Sequence, residues 1–135
     1  MRNESAPNSF GHGVGKKMRG ALAVGAMALS CSLSAQAAGA IATDDEEAGP
    51  ISVYALVTGA ASREDAGYSA LAECRKNSGK HCKVMARFDR CGAYAASAEK
   101  RLYGVGWGDS ADIARSMAIG KCGDRSCKLQ TLECE

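Results

Sequence analysis

The sequence is poor in almost everything that builds a conventional core. It has two prolines, one tryptophan, two phenylalanines and four tyrosines in 135 residues. Between Ile51 and Glu135 only 13 of 85 residues are Val, Ile, Leu or Phe, and alanine supplies much of the remaining apolar content. A large apolar side chain contributes about 1.5–3 kcal/mol when buried, so this small number makes a thin core and other restraints must hold the fold. Net charge is small, +2, which argues against a polybasic nucleic-acid binder and against an acidic disordered chain. The longest uncharged apolar run, residues 20–33, falls short of the ~20 residues that span a bilayer. The length allows one ordinary domain and little more.

What is present first is an export signal. Lys16, Lys17 and Arg19 form a cationic n-region, residues 20–33 an apolar h-region, and Ala35-Gln36-Ala37 an A-x-A site, which predicts cleavage after Ala37. Ala38-Gly39-Ala40 offers a second site three residues on. Met18 would begin a signal of normal length and is an alternative start to Met1. Ala28-Leu29-Ser30-Cys31 is similar to a lipobox that would lipidate Cys31, but its Leu stands one position late. The competing reading makes Cys31 a small apolar residue of the h-region.

Removing residues 1–37 leaves 13 Lys and Arg against 14 Asp and Glu, a net charge of −1. Residues 38–50, with Asp44, Asp45, Glu46 and Glu47 before Gly49-Pro50, read as an acidic flexible linker. Residues 51–135 read as the folded domain, with no transmembrane segment and too little excess charge, +3, to predict nucleic acid as a partner.

That domain holds Cys74, Cys82, Cys91, Cys122, Cys127 and Cys134. Six cysteines in a short exported domain predict three disulfides, with fifteen pairings open on spacing alone. An internal repeat narrows them. From Tyr54 to Cys91 and from Tyr103 to Cys134, each unit runs through an apolar strand, a Ser suited to cap a helix (Ser62, Ser110), an Ala-rich helix, and then Cys-Lys-apolar (Cys82-Lys83-Val84, Cys127-Lys128-Leu129). Ala66, Ala70, Leu71 and Cys74 correspond to Ala114, Ala118, Ile119 and Cys122, and spacings of four and eight lie along one helical face. Symmetry then suggests two equivalent bridges, Cys74–Cys82 and Cys122–Cys127, and a third, Cys91–Cys134, joining the halves across a pseudo-twofold axis. Zinc is the competing reading. The absence of C-x-x-C and the single His81 beside Cys82 disfavour it, so no metal or cofactor is expected.

The predicted elements are strands at 51–58, 82–88, 92–97, 102–108 and 127–134, and helices at 62–76 and 110–121. On the 82–88 strand, Cys82, Val84, Ala86 and Phe88 share one face and Lys83, Met85 and Arg87 the other. The expected class is α+β: two pseudo-repeated strand-helix-strand units forming one small antiparallel or mixed sheet, with two helices on one face and three disulfides.

The Tyr103–Gly108 strand of form Tyr-Gly-x-Gly-x-Gly, the Ser-capped Ala-rich helices, Cys91-Gly92-Ala93 and the two Cys…Cys-Lys-apolar units carry a family resemblance. The chain resembles the bacterial Domain of Unknown Function 4189 family over about residues 51–135. It departs where Tyr54-Ala55-Leu56 stands in place of Tyr-Gly-Ala and where Gly67 interrupts the first helix. The resemblance implies a small exported domain in one or two copies, and it brings no catalytic residues.

No residue set points to chemistry. Gly104, Gly106 and Gly108 do not fit G-x-G-x-x-G, because Asp109 occupies the third glycine's place. At period two they form a glycine face that admits a helix closely, with Tyr103, Val105 and Trp107 opposite as core or as a shallow platform. His81, the lone histidine of the domain, reads as a solvated loop residue. Glu64/Asp65 and Asp109/Asp112 read as acids favouring helix N-termini. Lys83, Arg87 and Lys128 would form a basic strip if their strands were neighbours. No catalytic residue is therefore assigned, and the surface expected to bind is Tyr103, Trp107, Lys83, Arg87 and Lys128. The function expected is an exported, non-enzymatic module that binds a protein or envelope component, in the manner of a periplasmic inhibitor or immunity protein. The alternatives are a structural envelope or secreted domain without a tight partner and, less favoured, a small hydrolase using His81.

Overall fold

The computed structural model describes residues 37–46 and 51–135. The predicted signal, with Met18 and Cys31, lies outside the described residues, apart from Ala37 at its end. Among the described residues eight elements follow in order: β1 (Ala38–Asp44), β2 (Val53–Ala60), α1 (Arg63–Lys76), β3 (Lys83–Phe88), β4 (Cys91–Ser97), β5 (Leu102–Gly108), α2 (Ala111–Cys122) and β6 (Lys128–Cys134).

The strands form two antiparallel three-stranded sheets, ordered β2-β1-β3 and β5-β4-β6. β1 and β4 are the central strands, and their sequences match: Ala38-Gly39-Ala40-Ile41-Ala42-Thr43-Asp44 against Cys91-Gly92-Ala93-Tyr94-Ala95-Ala96-Ser97. Every residue of both is buried. The fold is α+β, as expected, but two sheets replace the single expected sheet. The helices lie on separate sheets: Ala38, Ala40 and Ala42 pack with Ala66, Ala70 and Cys74 of α1, and Cys91, Ala93 and Ala95 with Ala114, Ala118 and Cys122 of α2. The opposite faces meet in a third cluster containing Ile41, Phe88, Tyr94 and Val105. The layers therefore run helix, sheet, sheet, helix, and not two helices on one face.

The segment read as a flexible linker is corrected over 38–44, which is the central strand of the first sheet. A strand buried on both faces shows no polar alternation, and here its apolar residues are mostly alanine. Asp44 is buried too, and its carboxylate accepts the amides of Lys80 at 2.7 Å, His81 at 2.6 Å and Glu46 at 3.0 Å. Ser97, at the equivalent end of β4, contacts Ser126 Oγ at 2.6 Å and accepts the Lys100 amide at 3.1 Å. Each central strand thus ends by fixing residues near the second half of its unit.

The repeat is consequently β-β-α-β, twice, and begins one strand earlier than the sequence suggests. The structure pairs Cys74–Cys82, Cys122–Cys127 and Cys91–Cys134. The first two join each helix to the start of the following strand. Cys91–Cys134, however, lies inside the second unit, where Cys91 and Cys134 are directly paired across β4 and β6 with Cα atoms 4.0 Å apart. It does not cross between halves, because Cys91 opens the second unit and does not close the first.

Local signals account for the helices. Ser62 Oγ accepts the Asp65 amide at 3.1 Å and Ser110 Oγ the Ile113 amide at 3.3 Å, so each serine caps its helix. α2 stops at Gly123, whose φ of 79° is left-handed and suits glycine. β5 supplies α2 with a glycine face: a methyl on Gly104 or Gly106 would meet the carbonyls of Ala118 or Ala114. Helix and strand backbones touch there with no side chain between them.

Candidate binding surface at the β3 and β5 edges

β3 and β5 are edge strands of different sheets and lie against each other. The alternation expected in β3 is broken by a register shift opposite Ile41 and Ala42, which leaves Met85 unpaired. Val84 therefore packs with the α1 cluster while Ala86 and Phe88 join the cluster between the sheets. The same shift separates Lys83 from Arg87. Lys83 Nζ stands 3.8 Å from Asp45 and 3.5 Å from Glu46. Arg87 Nε donates to the Arg63 carbonyl at 3.1 Å and its guanidinium lies against Gly67 of α1, where a methyl would come within 2.7 Å. Lys128 is on β6, at the other edge of the second sheet, beside a cavity shared with Gln130 and Ser126. The expected basic strip of Lys83, Arg87 and Lys128 is therefore not assembled.

Tyr103, Val105 and Trp107 divide between core and surface. Val105 is buried between the sheets. Tyr103 is half-buried, stacks on Tyr94 at 5.9 Å and donates to Asp45 at 3.2 Å. Tyr94 stacks in turn on Tyr54 at 4.2 Å, and burial pushes its phenol up to about 12. Burial also raises the Tyr103 phenol. Trp107 stays 36% exposed, with Lys121 Nζ 4.1 Å from its ring centroid. Met85, Tyr103, Trp107 and Lys121 line a shallow cavity of about 240 Å³. Met85 is 41% exposed.

A second cavity of about 200 Å³ adjoins it through Trp107 and is lined by Arg63, Arg87, Asp89 and Arg90 among others. Arg63 pairs with both oxygens of Asp89, Nε donating to Oδ1 at 2.8 Å, and this partner holds the Asp89 carboxyl below the usual range. Sequence reasoning missed Met85, Lys121, Arg63 and Arg90. The repeat could have flagged Lys121, one residue before Cys122, but nothing in the sequence marks the bulge that exposes Met85.

The remaining candidates are dispersed. His81 is exposed, with Nδ1 3.4 Å from Glu46. Asp65 accepts from Ser62 Oγ at 2.8 Å, and Asp112 stands 3.5 Å from Arg115. Each is accounted for by local contacts.

The model of one family, described as Domain of unknown function (DUF4189), matches residues 38–134. The chain belongs to this family. The match begins at Ala38, so the DUF4189 domain includes β1 and runs from the first central strand through the last strand, further toward the N-terminus than residue 51. No curated protein and no solved structure matches the chain. Among the described residues of this DUF4189 chain, no helix is long and apolar enough to cross a membrane.

Proposed function

We propose that this DUF4189 chain is an exported, non-enzymatic binding module that receives a protein partner on the Trp107 face, acting as an inhibitor or immunity-type protein. The observation that carries the reading is the juxtaposition of exposed Met85 and Trp107 with Lys121 and the arginines across two neighbouring edge strands. Trp, Met and Arg are the residue types enriched where proteins bind one another, and Trp and Arg recur among their energetic anchors. The scaffold beneath is bridged and closely packed, so the surface is preorganised.

Export is supported by three disulfides, which persist in oxidising compartments. It is supported further by where β1 starts. Cleavage after Ala37 leaves the strand whole, whereas cleavage after Ala40 would remove three residues of a central strand.

A photo-crosslinking residue placed at Met85, with a control at Gln130, tests the reading in the producing cell. A partner trapped from Met85 and not from Gln130, and bound at least tenfold more weakly by Trp107→Ala once purified, supports it. Equal trapping from both positions, or no saturable partner in envelope and secreted fractions, overturns it.

A further inference from the structure

We propose that the cleft formed by Arg87, Arg90 and Trp107 is a carboxylate-binding site, suited to an acidic side chain or a chain terminus. The cleft lies where β3 turns into β4 and β5 runs toward α2. Its three guanidinium groups are not equivalent. Arg63 is consumed by its two-point contact with Asp89. Arg87 is anchored through Nε to the Arg63 carbonyl, which spends one donor, and its Nη2 edge is seated on Gly67 of α1. Arg90 is exposed. Among the described residues, neither Arg87 nor Arg90 forms an ion pair.

Two unpaired cations in one small cleft repel, and an oxyanion placed between them removes that repulsion while gaining charge-assisted hydrogen bonds. Asp109 also lines the cleft. With Arg63 and Asp89 cancelling, Arg87 and Arg90 against Asp109 leave one net positive charge. That balance matches a singly charged carboxylate better than a phosphate dianion. The planar fork of an arginine fits the same group in two-point geometry. Met85 and Trp107 beside the cleft would accept the apolar part of a residue bearing the carboxylate. A small acid tests this site alone, whether or not a protein partner docks on the Trp107 face.

The sole tryptophan of the chain lines the cleft and reports on it. The oxidised protein is titrated with sodium acetate at constant ionic strength, sodium chloride making up the difference. Trp107 fluorescence and the Arg Nε–Hε NMR signals are followed. The expected result is a saturating response to acetate that weakens at least fivefold in Arg90→Gln and in Arg87→Gln and is unchanged in Lys128→Gln. Arg90 is exposed, and among the described residues its side chain forms no ion pair, so its variant remains informative if Arg87→Gln loosens α1. A response that never saturates, that persists in Arg90→Gln, or that is tighter for inorganic phosphate than for acetate overturns the assignment.

Discussion

The carboxylate of Asp44 accepts the main-chain amide of His81 at 2.6 Å, joining residues 37 positions apart. With the Lys80 amide at 2.7 Å, it fixes the segment just before Cys82 to the end of the central strand. These amides, His81 foremost, hold the Asp44 carboxyl below the ordinary range despite its burial. A carboxyl depressed in the folded state adds stability above its unfolded value of about 3.9, and that contribution disappears as pH falls through the lower folded value. Asp44→Asn is expected to lower the thermal midpoint at neutral pH and to flatten its dependence below about pH 4. Thermal melts across the acid range check this; curves parallel to wild type would count against it.

The glycines of β5 and α2 should respond with opposite signs. Gly106→Ala drives a methyl into the α2 backbone, and such overpacking costs about 1–3 kcal/mol. Gly120 lies within α2 with nothing near the position of an added methyl. Gly120→Ala should therefore stabilise by about 0.8–1 kcal/mol through helix propensity. Urea unfolding of the two variants decides, and a stabilised Gly106→Ala would refute the close helix–strand approach.

Removing bridges singly should rank them by the loop each closes. The sequence separations are 43 for Cys91–Cys134, 8 for Cys74–Cys82 and 5 for Cys122–Cys127. Chain entropy assigns these about 4, 2.5 and 2 kcal/mol respectively. Paired Cys→Ser variants compared by denaturant midpoint test the order. A Cys122/Cys127 variant weaker than the Cys91/Cys134 variant would show that native packing, not loop closure, dominates.

Phe88 should be a costly truncation in the interior. Its ring fills the space over Gly39 and Gly92, the matching glycines of the two central strands, and it is 2% exposed. Phe88→Ala is expected to lose about 3–5 kcal/mol, and Phe88→Leu distinctly less. A loss under ~1 kcal/mol for the alanine variant, at unchanged denaturant slope, would be incompatible with a ring shared by both sheets.

The elements that carry short-range signals are legible in the amino-acid sequence. Ser62 and Ser110 announce their helices, and the glycine face of β5 foretells a close helix. The pairing of cysteines also follows from the repeat, although a repeat that starts at Tyr54 puts Cys91–Cys134 between halves. β1 is hidden because alanine, glycine and an acidic end look the same in a tail and in a doubly buried strand, and only the matching β4 tells them apart. Without that strand, one sheet is drawn instead of two. The candidate surface is legible in part: Tyr103 and Trp107 stand at it, but the shift at Met85 that turns Lys83 and Arg87 apart arises from pairing with β1, which no local pattern records.

The division of the chain into two β-β-α-β units has a further consequence. Within one unit the helix covers only one sheet face, and the other presents Ile41, Phe88 and their neighbours, or Tyr94 and Val105, to whatever lies opposite. A lone unit would leave that face in water, so neither half is built to persist by itself. The same layered body would arise if two separate β-β-α-β units associated face to face. In this chain the two copies are continuous through Asp89 and Arg90, and the association that a dimer would owe to concentration is fixed by the main chain.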